Sequence, residues 1–317
     1  MPDITAVAIL DDYQDVALTY ADWSSLRPTV FREPFADEDA VVAALEPFDV
    51  VVAMRERTRF PAGVLRRLPR LRLLVTTGPV NAAIDVPAAR ELGVTVCGTG
   101  GGGRQATIEL TWGLILALAR HIPQEDRRLR DGGWQRTVGT DLAGRRLGLI
   151  GLGGIGSAVA RIGLAFGMDV AAWSTNLDAE HARSLGVTPV ERDELLTTAD
   201  IVSVHLRLSE RTRGLLGERE LALLKPTALV VNTSRGPIIH EAALLKALHE
   251  SRIGGAALDV YDTEPLPADS PWRSAPRTVL TPHIGYVSEN TYRSFYSDAL
   301  EDILAYSAGS PIRVIGG

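Results

Sequence analysis

The chain has 317 residues, 45% of them hydrophobic and 23% charged, so it is long enough for two globular domains and too apolar for a disordered protein. Its 33 basic and 39 acidic side chains give a net charge of −6, which argues against a nucleic-acid-binding surface. The single cysteine, Cys97, excludes an internal disulfide and a cysteine-based metal site, and its apolar neighbours predict a small buried side chain in a reducing compartment.

Two apolar segments bear on membrane targeting. The first, Ile4–Leu10, has no basic residues before it and runs into Asp11 and Asp12, which is not the pattern of a signal peptide. The richest apolar stretch, Leu110–Ala119, is far shorter than the roughly 18–20 residues that a membrane span needs. We therefore expect a cytoplasmic protein that does not associate with membranes.

Short apolar runs alternate with helical patterns through the first hundred residues. The runs are rich in Val, Ile and Leu, which is typical of strands buried on both faces of a parallel sheet. The predicted strands are Ala6–Leu10, Val50–Ala53, Leu73–Thr76 and Val94–Cys97. The predicted helices are Asp37–Leu45, Pro61–Leu68 and Val86–Leu92. This βα alternation predicts an α/β domain.

A glycine-rich segment, Gly98–Gly103, follows the first alternation. Five of its six residues are glycine, which does not suit the interior of a helix or a strand. We predict a flexible hinge here, and an ordinary surface loop is the alternative. The next predicted helix, Gln105–Arg120, is apolar nearly all round, which predicts burial between two domains.

A second βα alternation fills the remainder of the chain. Its predicted strands are Arg146–Ile150, Asp169–Trp173, Ile201–His205, Leu229–Asn232, Gly255–Leu258 and Thr278–Leu280. Its predicted helices are Gly154–Phe166, Arg192–Thr197, Glu218–Leu223, Glu241–Glu250 and Ser288–Tyr306. The two halves together predict an α/β fold of two doubly wound, Rossmann-like or flavodoxin-like parallel-sheet domains with a cleft between them.

A Gly-x-Gly-x-x-Gly motif lies between a predicted strand and a predicted helix, which is the context that a dinucleotide site requires. Gly151 permits the tight turn, Gly153 lets the backbone approach a pyrophosphate, and Gly156 lets the helix pack close to the strand. Together with Gly154 and Ile155, the helix N-terminus supplies N–H groups and a partial positive charge. The motif therefore predicts binding of a dinucleotide cofactor.

The strand after this motif ends without the acidic residue that holds the ribose of NAD. Ser174, Thr175 and Asn176 follow the strand, and the first carboxylate, that of Asp178, comes later. No arginine that would hold a 2′-phosphate follows directly either. The cofactor is therefore NAD or NADP, and the missing repulsion favours NADP, with these three small polar side chains as its partners.

Three segments that follow later strands carry reactive side chains, namely Arg235, Glu264 and His283. The carboxyl ends of parallel strands line the ligand crevice of such sheets. A histidine donates a proton to a carbonyl oxygen near neutral pH, and a carboxylate on its other ring nitrogen favours the protonated donor. An arginine holds a carboxylate with two parallel hydrogen bonds. Each residue alone also fits a structural role, but the set predicts reduction of a 2-oxo acid by a nicotinamide cofactor.

At these residues the chain resembles the D-isomer-specific 2-hydroxyacid dehydrogenase family over nearly its whole length. The segments that carry the resemblance are Gly151–Gly156, Val231–Gly236, Ala257–Pro265 and Thr281–Gly285. The resemblance implies an NAD(P)-dependent 2-oxo acid reductase that forms the D-2-hydroxy acid and assembles as a homodimer. It also implies a discontinuous substrate domain, residues 1–99 and 286–317, with an NAD(P)-binding domain, residues 100–285, inserted in it.

The resemblance assigns roles to individual residues. It makes Arg235 the substrate-binding arginine, Glu264 the partner of His283, and His283 the acid/base. Further cofactor contacts are implied for His205, Thr233, Asp259 and Gly285. Substrate contacts are implied for the loop containing Gly78, Pro79 and Val80, and Arg55, which follows a strand of the substrate domain, is an added candidate.

The chain also departs from the family pattern. Besides Ser174 in place of the acid, Arg207 replaces a proline beside the cofactor and His240 replaces an acid after the arginine segment. A different class therefore stays open, an NAD(H)-sensing binding protein on the same fold with little turnover. We expect no bound metal, and the identity of the 2-oxo acid stays open.

Overall fold

A computed structural model describes residues 5–101 and 103–316 of the chain. Contacts within the chain group it into two compact units. The first unit comprises Met1–Gly103 and Val287–Gly317, and the second comprises Arg104–Tyr286. The chain therefore leaves the first unit, builds the second, and returns to the first.

The first unit contains a five-stranded sheet in which every pair of neighbouring strands is parallel. Its strands are β1 (Val7–Ile9), β2 (Thr29–Val30), β3 (Val50–Ala53), β4 (Leu73–Thr76) and β5 (Thr95–Gly98). Their order across the sheet is β2-β1-β3-β4-β5. Its helices are α1 (Ala17–Tyr20), α2 (Glu38–Leu45), α3 (Ala62–Leu65), α4 (Val86–Glu91) and α12 (Glu289–Ser307).

The second unit contains a seven-stranded sheet, also parallel throughout. Its strands are β6 (Arg146–Ile150), β7 (Asp169–Trp173), β8 (Thr188–Pro189), β9 (Ile201–Val204), β10 (Leu229–Asn232), β11 (Gly255–Leu258) and β12 (Thr278–Leu280). Its helices are α5 (Arg104–Ala119), α6 (Ile122–Arg130), α7 (Gly154–Ala165), α8 (Ala179–Ser184), α9 (Arg192–Thr198), α10 (Glu218–Ala222) and α11 (Glu241–His249). The predicted class of two parallel-sheet α/β domains is confirmed.

The strand order of the second sheet indicates where a ligand site is expected. The order is β12-β11-β10-β9-β6-β7-β8, so the chain moves from β6 to one side and later returns to its other side. In open parallel sheets the crevice at such a reversal, beyond the carboxyl ends of the strands, is the ligand site. The glycine motif follows β6 directly and therefore lies at this reversal.

Helix α5 packs within the second unit against α7 and against strands β10, β11 and β12. Trp112, Ile115 and Leu118 are among its buried side chains. The side chains of Arg104 and Glu109 are exposed, so the helix is not buried on every side, and its burial between two domains stays a prediction.

The predicted hinge is only partly a loop. Gly98 belongs to β5, where an added Cβ would lie 2.8 Å from the carbonyl oxygen of Gly78, so this glycine serves close packing rather than flexibility. The next residue, Thr99, is buried, and the N–H of Gly100 donates to the Asp298 carboxylate at 2.8 Å. Gly102 lies outside the described residues, and the hinge stays a prediction.

A segment that follows α12 runs along β5. The N–H of Gly98 donates to the carbonyl oxygen of Arg313, and the N–H of Ile315 donates to that of Val96. The Arg313 side chain reaches back to α12, where its Nε lies 2.9 Å from the fully buried carboxylate of Asp302. This ion pair therefore ties the segment to α12.

Cys97 lies under that segment and is fully buried, as predicted. Burial raises the pKa of its thiol to about 12, so it is not a nucleophile near neutral pH.

None of the helices in residues 5–101 and 103–316 combines the length and the apolar character needed to cross a membrane.

Candidate active site

The turn between β6 and α7 forms the predicted phosphate cradle. Gly151 has a left-handed φ of +103°, and a Cβ there would lie 2.5 Å from the carbonyl oxygen of His205. A Cβ on Gly156 would collide with the carbonyl oxygen of Gly151. Gly153 differs, because a Cβ there would meet no atom within 4 Å. Two glycines are thus required by the fold, and the third faces open space.

The start of α7 suits the pyrophosphate of a dinucleotide. Gly153 is its N-cap and provides no side-chain hydrogen bond, and the first turn contains no acidic residue. The first N–H groups of the helix, including those of Gly154 and Ile155, therefore have no built-in anionic partner. The open space beside Gly153 is where such an anion would approach.

The end of β7 shows which groups surround the predicted ribose position. Ser174 is partly exposed, and Thr175 and Asn176 are exposed. The Asp178 carboxylate caps α8 by accepting from two backbone N–H groups at 3.0 Å, so it is already engaged. The guanidinium of Arg192 lies 5.7 Å from the ring centroid of Trp173, the last residue of β7. The structure thus places an arginine beside this strand end, where the sequence showed none directly following it.

His205 follows β9 on the other side of the cradle. Its Nε2 lies 2.9 Å from the hydroxyl oxygen of Ser203. Burial lowers the pKa of His205 to about 4, so its ring is neutral near pH 7. His205 therefore offers a neutral hydrogen-bonding ring rather than a positive charge beside the cradle.

The segment after β10 is fixed by its own side chains. The side-chain amide of the buried Asn232 donates to the carbonyl oxygen of Arg235 at 3.0 Å, and its oxygen accepts from the N–H of Ser234. The next residue, Gly236, is so close to the backbone of Tyr261 that any side chain would collide with it. The partly exposed Arg235 side chain is therefore presented from a rigid turn.

Asp259, at the end of β11, organises the segment that contains the predicted acid/base. Its carboxylate accepts from the Thr281 hydroxyl at 2.6 Å and from the N–H groups of Ile284 and Gly285, each at 2.8 Å. Burial raises the pKa of Asp259, whereas these three hydrogen bonds favour its charged form. The structure thus gives Asp259 a positioning role toward the His283 segment.

His283 and Glu264 are brought together as the sequence predicts for an acid/base pair. Nδ1 of His283 lies 2.5 Å from Oε2 of Glu264, and Oε1 accepts from the N–H of Tyr261 at 2.8 Å. His283 has a left-handed φ of +54°, which is uncommon for a residue other than glycine and is concentrated at functional sites. Because Nδ1 is engaged by Glu264, Nε2 is the ring nitrogen that can serve a further hydrogen-bond partner.

Two threonines of α5 support this region and were not identified from the sequence. The Thr111 hydroxyl lies 2.9 Å from the hydroxyl oxygen of Thr233, and the Thr107 hydroxyl donates to the carbonyl oxygen of Gly285 at 2.9 Å. Their signal in the sequence is two hydroxyl side chains, four residues apart, on an otherwise apolar helix face.

The predicted substrate loop lies in the first unit. The N–H of Gly78 donates to the Thr99 hydroxyl at 2.6 Å, and Pro79 has no N–H, so of the three predicted residues Val80 is the one that offers a donor. The Arg55 guanidinium covers Gly78 so closely that a Cβ there would collide with its Nη1. The structure thus brings Arg55 to this loop.

Comparison with known proteins assigns the family. The sequence model described as D-isomer specific 2-hydroxyacid dehydrogenase, NAD binding domain, matches residues 112–285. A glyoxylate reductase of Aeropyrum pernix is 36% identical over 313 residues, which cover 96% of this chain and 90% of the relative. The chain belongs to the D-isomer-specific 2-hydroxyacid dehydrogenase family.

Other relatives of this dehydrogenase agree with that assignment. A phosphoglycerate oxidoreductase of Vibrio cholerae O395 has the same fold, with a TM-score of 0.92, 37% identity, and coverage of 97% of this chain and 100% of that one. A D-3-phosphoglycerate dehydrogenase of Bacillus subtilis is 35% identical over 270 residues, 84% of this chain but 51% of the relative. This chain thus spans about half the length of that relative.

The dehydrogenase is therefore an oxidoreductase that transfers hydride between a nicotinamide cofactor and a 2-oxo acid, and its matched domain binds NAD(H). The alternative of a binding protein that only senses NAD(H) is not favoured, because the relatives are named as enzymes.

The open space at Gly153 yields a test of the cradle. We expect Gly153→Ala to fold like the wild type and to bind NADH about tenfold more weakly or worse, because its methyl group occupies the space toward the pyrophosphate. Fluorescence titration with NADH measures the affinity, and thermal unfolding measures stability. Gly113→Ala on α5, which also meets no atom within 4 Å, is the matched control. Unchanged NADH affinity of Gly153→Ala would contradict this placement.

Proposed function

We propose that this cytoplasmic dehydrogenase reduces a small 2-oxo acid to the D-2-hydroxy acid, with His283 as the proton donor. The observation that carries the proposal is the 2.5 Å contact between His283 and Glu264. Bound NAD(P)H supplies the hydride. His283 donates a proton from Nε2 to the carbonyl oxygen, so the added hydride and proton together complete the alcohol.

Glu264 positions the histidine in this reaction. Its carboxylate at Nδ1 keeps the ring in one orientation and leaves Nε2 as the ring nitrogen that meets the substrate. The Tyr261 N–H holds the other carboxylate oxygen, so the pair is fixed from both sides. Asp259 positions His283 indirectly, because its hydrogen bonds hold the 281–285 segment that contains the histidine.

Three groups hold the substrate in this proposal. Arg235, presented from the turn after β10, binds the substrate carboxylate or polarises its carbonyl group. In the first unit, the Val80 N–H and the Arg55 guanidinium bind a carboxylate oxygen. The relative of Aeropyrum pernix is named a glyoxylate reductase, so glyoxylate is the first substrate to test, followed by hydroxypyruvate, pyruvate and phenylpyruvate.

The proton-donor assignment is tested by paired variants. We expect His283→Asn to lower kcat by about 10²–10⁴-fold and Glu264→Gln by about 10–100-fold, with NADH affinity unchanged in both. Initial rates on the best 2-oxo acid and NADH titration measure the two quantities. Glu250→Gln is the control, because it follows α11 and precedes β11, at the opposite edge of the sheet from the strand carboxyl ends. Near wild-type kcat in His283→Asn would refute the assignment.

We propose that the enzyme accepts both cofactors and prefers NADPH. The polar groups of Ser174, Thr175 and Asn176 hydrogen-bond the 2′-phosphate without repelling it. Arg192 lies beside the same strand end, but its Nη2 is 3.4 Å from the Glu220 carboxylate. That negative charge partly neutralises the guanidinium and so weakens its attraction for a 2′-phosphate. The preference is therefore modest, roughly tenfold or less.

A single carboxylate is expected to reverse this preference. Ser174→Asp places a negative charge where a 2′-phosphate would lie and an acceptor where a 2′-hydroxyl would lie, so NADH becomes preferred. The ratio of kcat/KM for NADPH and NADH measures it, and Ser174→Asn is the uncharged control. A wild-type enzyme that already prefers NADH a hundredfold would show that another residue holds the ribose.

We also propose that the enzyme is a homodimer that buries the surface around α6. No residue of α6 is buried within its own unit. Four large apolar side chains are exposed on or after it, namely Ile122, Leu129, Trp134 and Val138. Such a concentration of exposed apolar side chains is typical of an interface.

Charge placed on this surface is expected to separate the subunits. Leu129→Asp removes apolar area and introduces a buried charge into the interface, so the sedimentation coefficient should fall from that of a dimer to that of a monomer. Leu304→Asp, on the exposed side of α12, is the control. A wild-type chain that sediments as a monomer at micromolar concentration would overturn the proposal.

A further inference from the structure

An arginine that the motif does not contain lies over the phosphate cradle. Arg104 is the first residue of α5, and its side chain extends to the N-terminus of α7. A Cβ built on Gly154 would lie 3.1 Å from both Cζ and Nη1 of Arg104 and 3.4 Å from its Nε. The guanidinium group therefore covers the backbone of Gly154, inside the Gly-x-Gly-x-x-Gly turn.

This arrangement brings two positive features together. The N-terminus of a helix carries a partial positive charge, and that of α7 has neither a side-chain cap nor an acidic residue in its first turn. Within residues 5–101 and 103–316, no carboxylate forms an ion pair with Arg104. Two uncompensated positive groups at one point repel each other unless an anion lies between them.

We propose that Arg104 binds the pyrophosphate of the dinucleotide cofactor together with the N–H groups at the start of α7. The proposal rests on the proposed dehydrogenase function and adds a residue to its cofactor site. Arg104 lies beside Gly154, whereas the ribose position lies at the end of β7, so the pyrophosphate is the anion within its reach. The guanidinium fork suits two phosphate oxygens at once.

Direct binding of both cofactors tests the assignment. Because NADH and NADPH share the pyrophosphate, we expect Arg104→Ala to raise the Kd of each by about tenfold and to leave their ratio unchanged. Isothermal titration with the intact enzyme measures both constants without turnover. Arg104→Lys, which keeps the charge and loses the fork, is expected to recover part of the affinity.

The control is another exposed arginine on the cradle helix. Arg161 lies seven residues after Gly154 on α7, about 10 Å along the helix axis, so Arg161→Ala changes the net charge equally without reaching the turn. We expect its Kd values to equal those of the wild type. A rise equal to that of Arg104→Ala would mean that net charge alone is responsible and would overturn the assignment.

A second pair of variants tests the contact itself. Gly154→Ala places a methyl group against the guanidinium and displaces it, so this change should also weaken binding. If it acts through Arg104, the double variant binds no more weakly than Arg104→Ala alone. If the loss of affinity in the double variant instead equals the product of the losses in the two single variants, the two changes act independently, and the contact is contradicted.

The remaining outcomes separate this proposal from the function on which it rests. Wild-type affinity for NADH in Arg104→Ala overturns the proposal and leaves the dehydrogenase function intact. A loss confined to NADPH assigns Arg104 to the 2′-phosphate and also overturns it. Failure of the wild type to bind either cofactor refutes the proposed function itself.

Discussion

The site depends first on one buried carboxylate, that of Asp259. It follows β11 directly, and its oxygens accept three hydrogen bonds from the segment that follows β12. A charged group in the interior is unfavourable unless such bonds compensate for lost water, so the segment is held in one conformation. His283 lies within that segment, and its uncommon backbone angle is maintained because the residues on both sides are bound.

The same logic connects the other strand ends. Side chains satisfy the backbone groups of these segments: Asn232 binds the turn of Arg235 within its own segment, and the Ser234 hydroxyl donates to the carbonyl oxygen of Val204, at the end of the neighbouring strand, at 2.7 Å. The parallel sheet brings these segments to one edge, and the polar side chains fix their spacing. The positions of Arg235 and His283 are therefore set by polar residues, such as Asn232 and Asp259, that take no part in the proposed reaction themselves.

Regular elements were predictable where the local pattern was strong. Strands such as Val50–Ala53 and Asp169–Trp173 match their predicted bounds, because a core of consecutive Val and Ala residues is typical of strands with both sheet faces buried. The two-residue strands Thr29–Val30 and Thr188–Pro189 were missed, since each lies at a sheet edge and has too few residues for a periodicity. Arg192 lies beside the end of β7 and Arg104 beside the start of α7 because helices distant in sequence pack there, which no local motif encodes.

The segment that follows α12 has a consequence for the solution behaviour of the first unit. Strand β5 lies at the border of its sheet, and a border strand leaves backbone donors and acceptors available to any extended peptide. Here Arg313 and Ile315 already satisfy part of that border from within the chain. These backbone hydrogen bonds occupy part of the border from within the chain, and the ion pair of Arg313 with the buried Asp302 holds the segment in place, so intermolecular strand pairing through β5 is disfavoured.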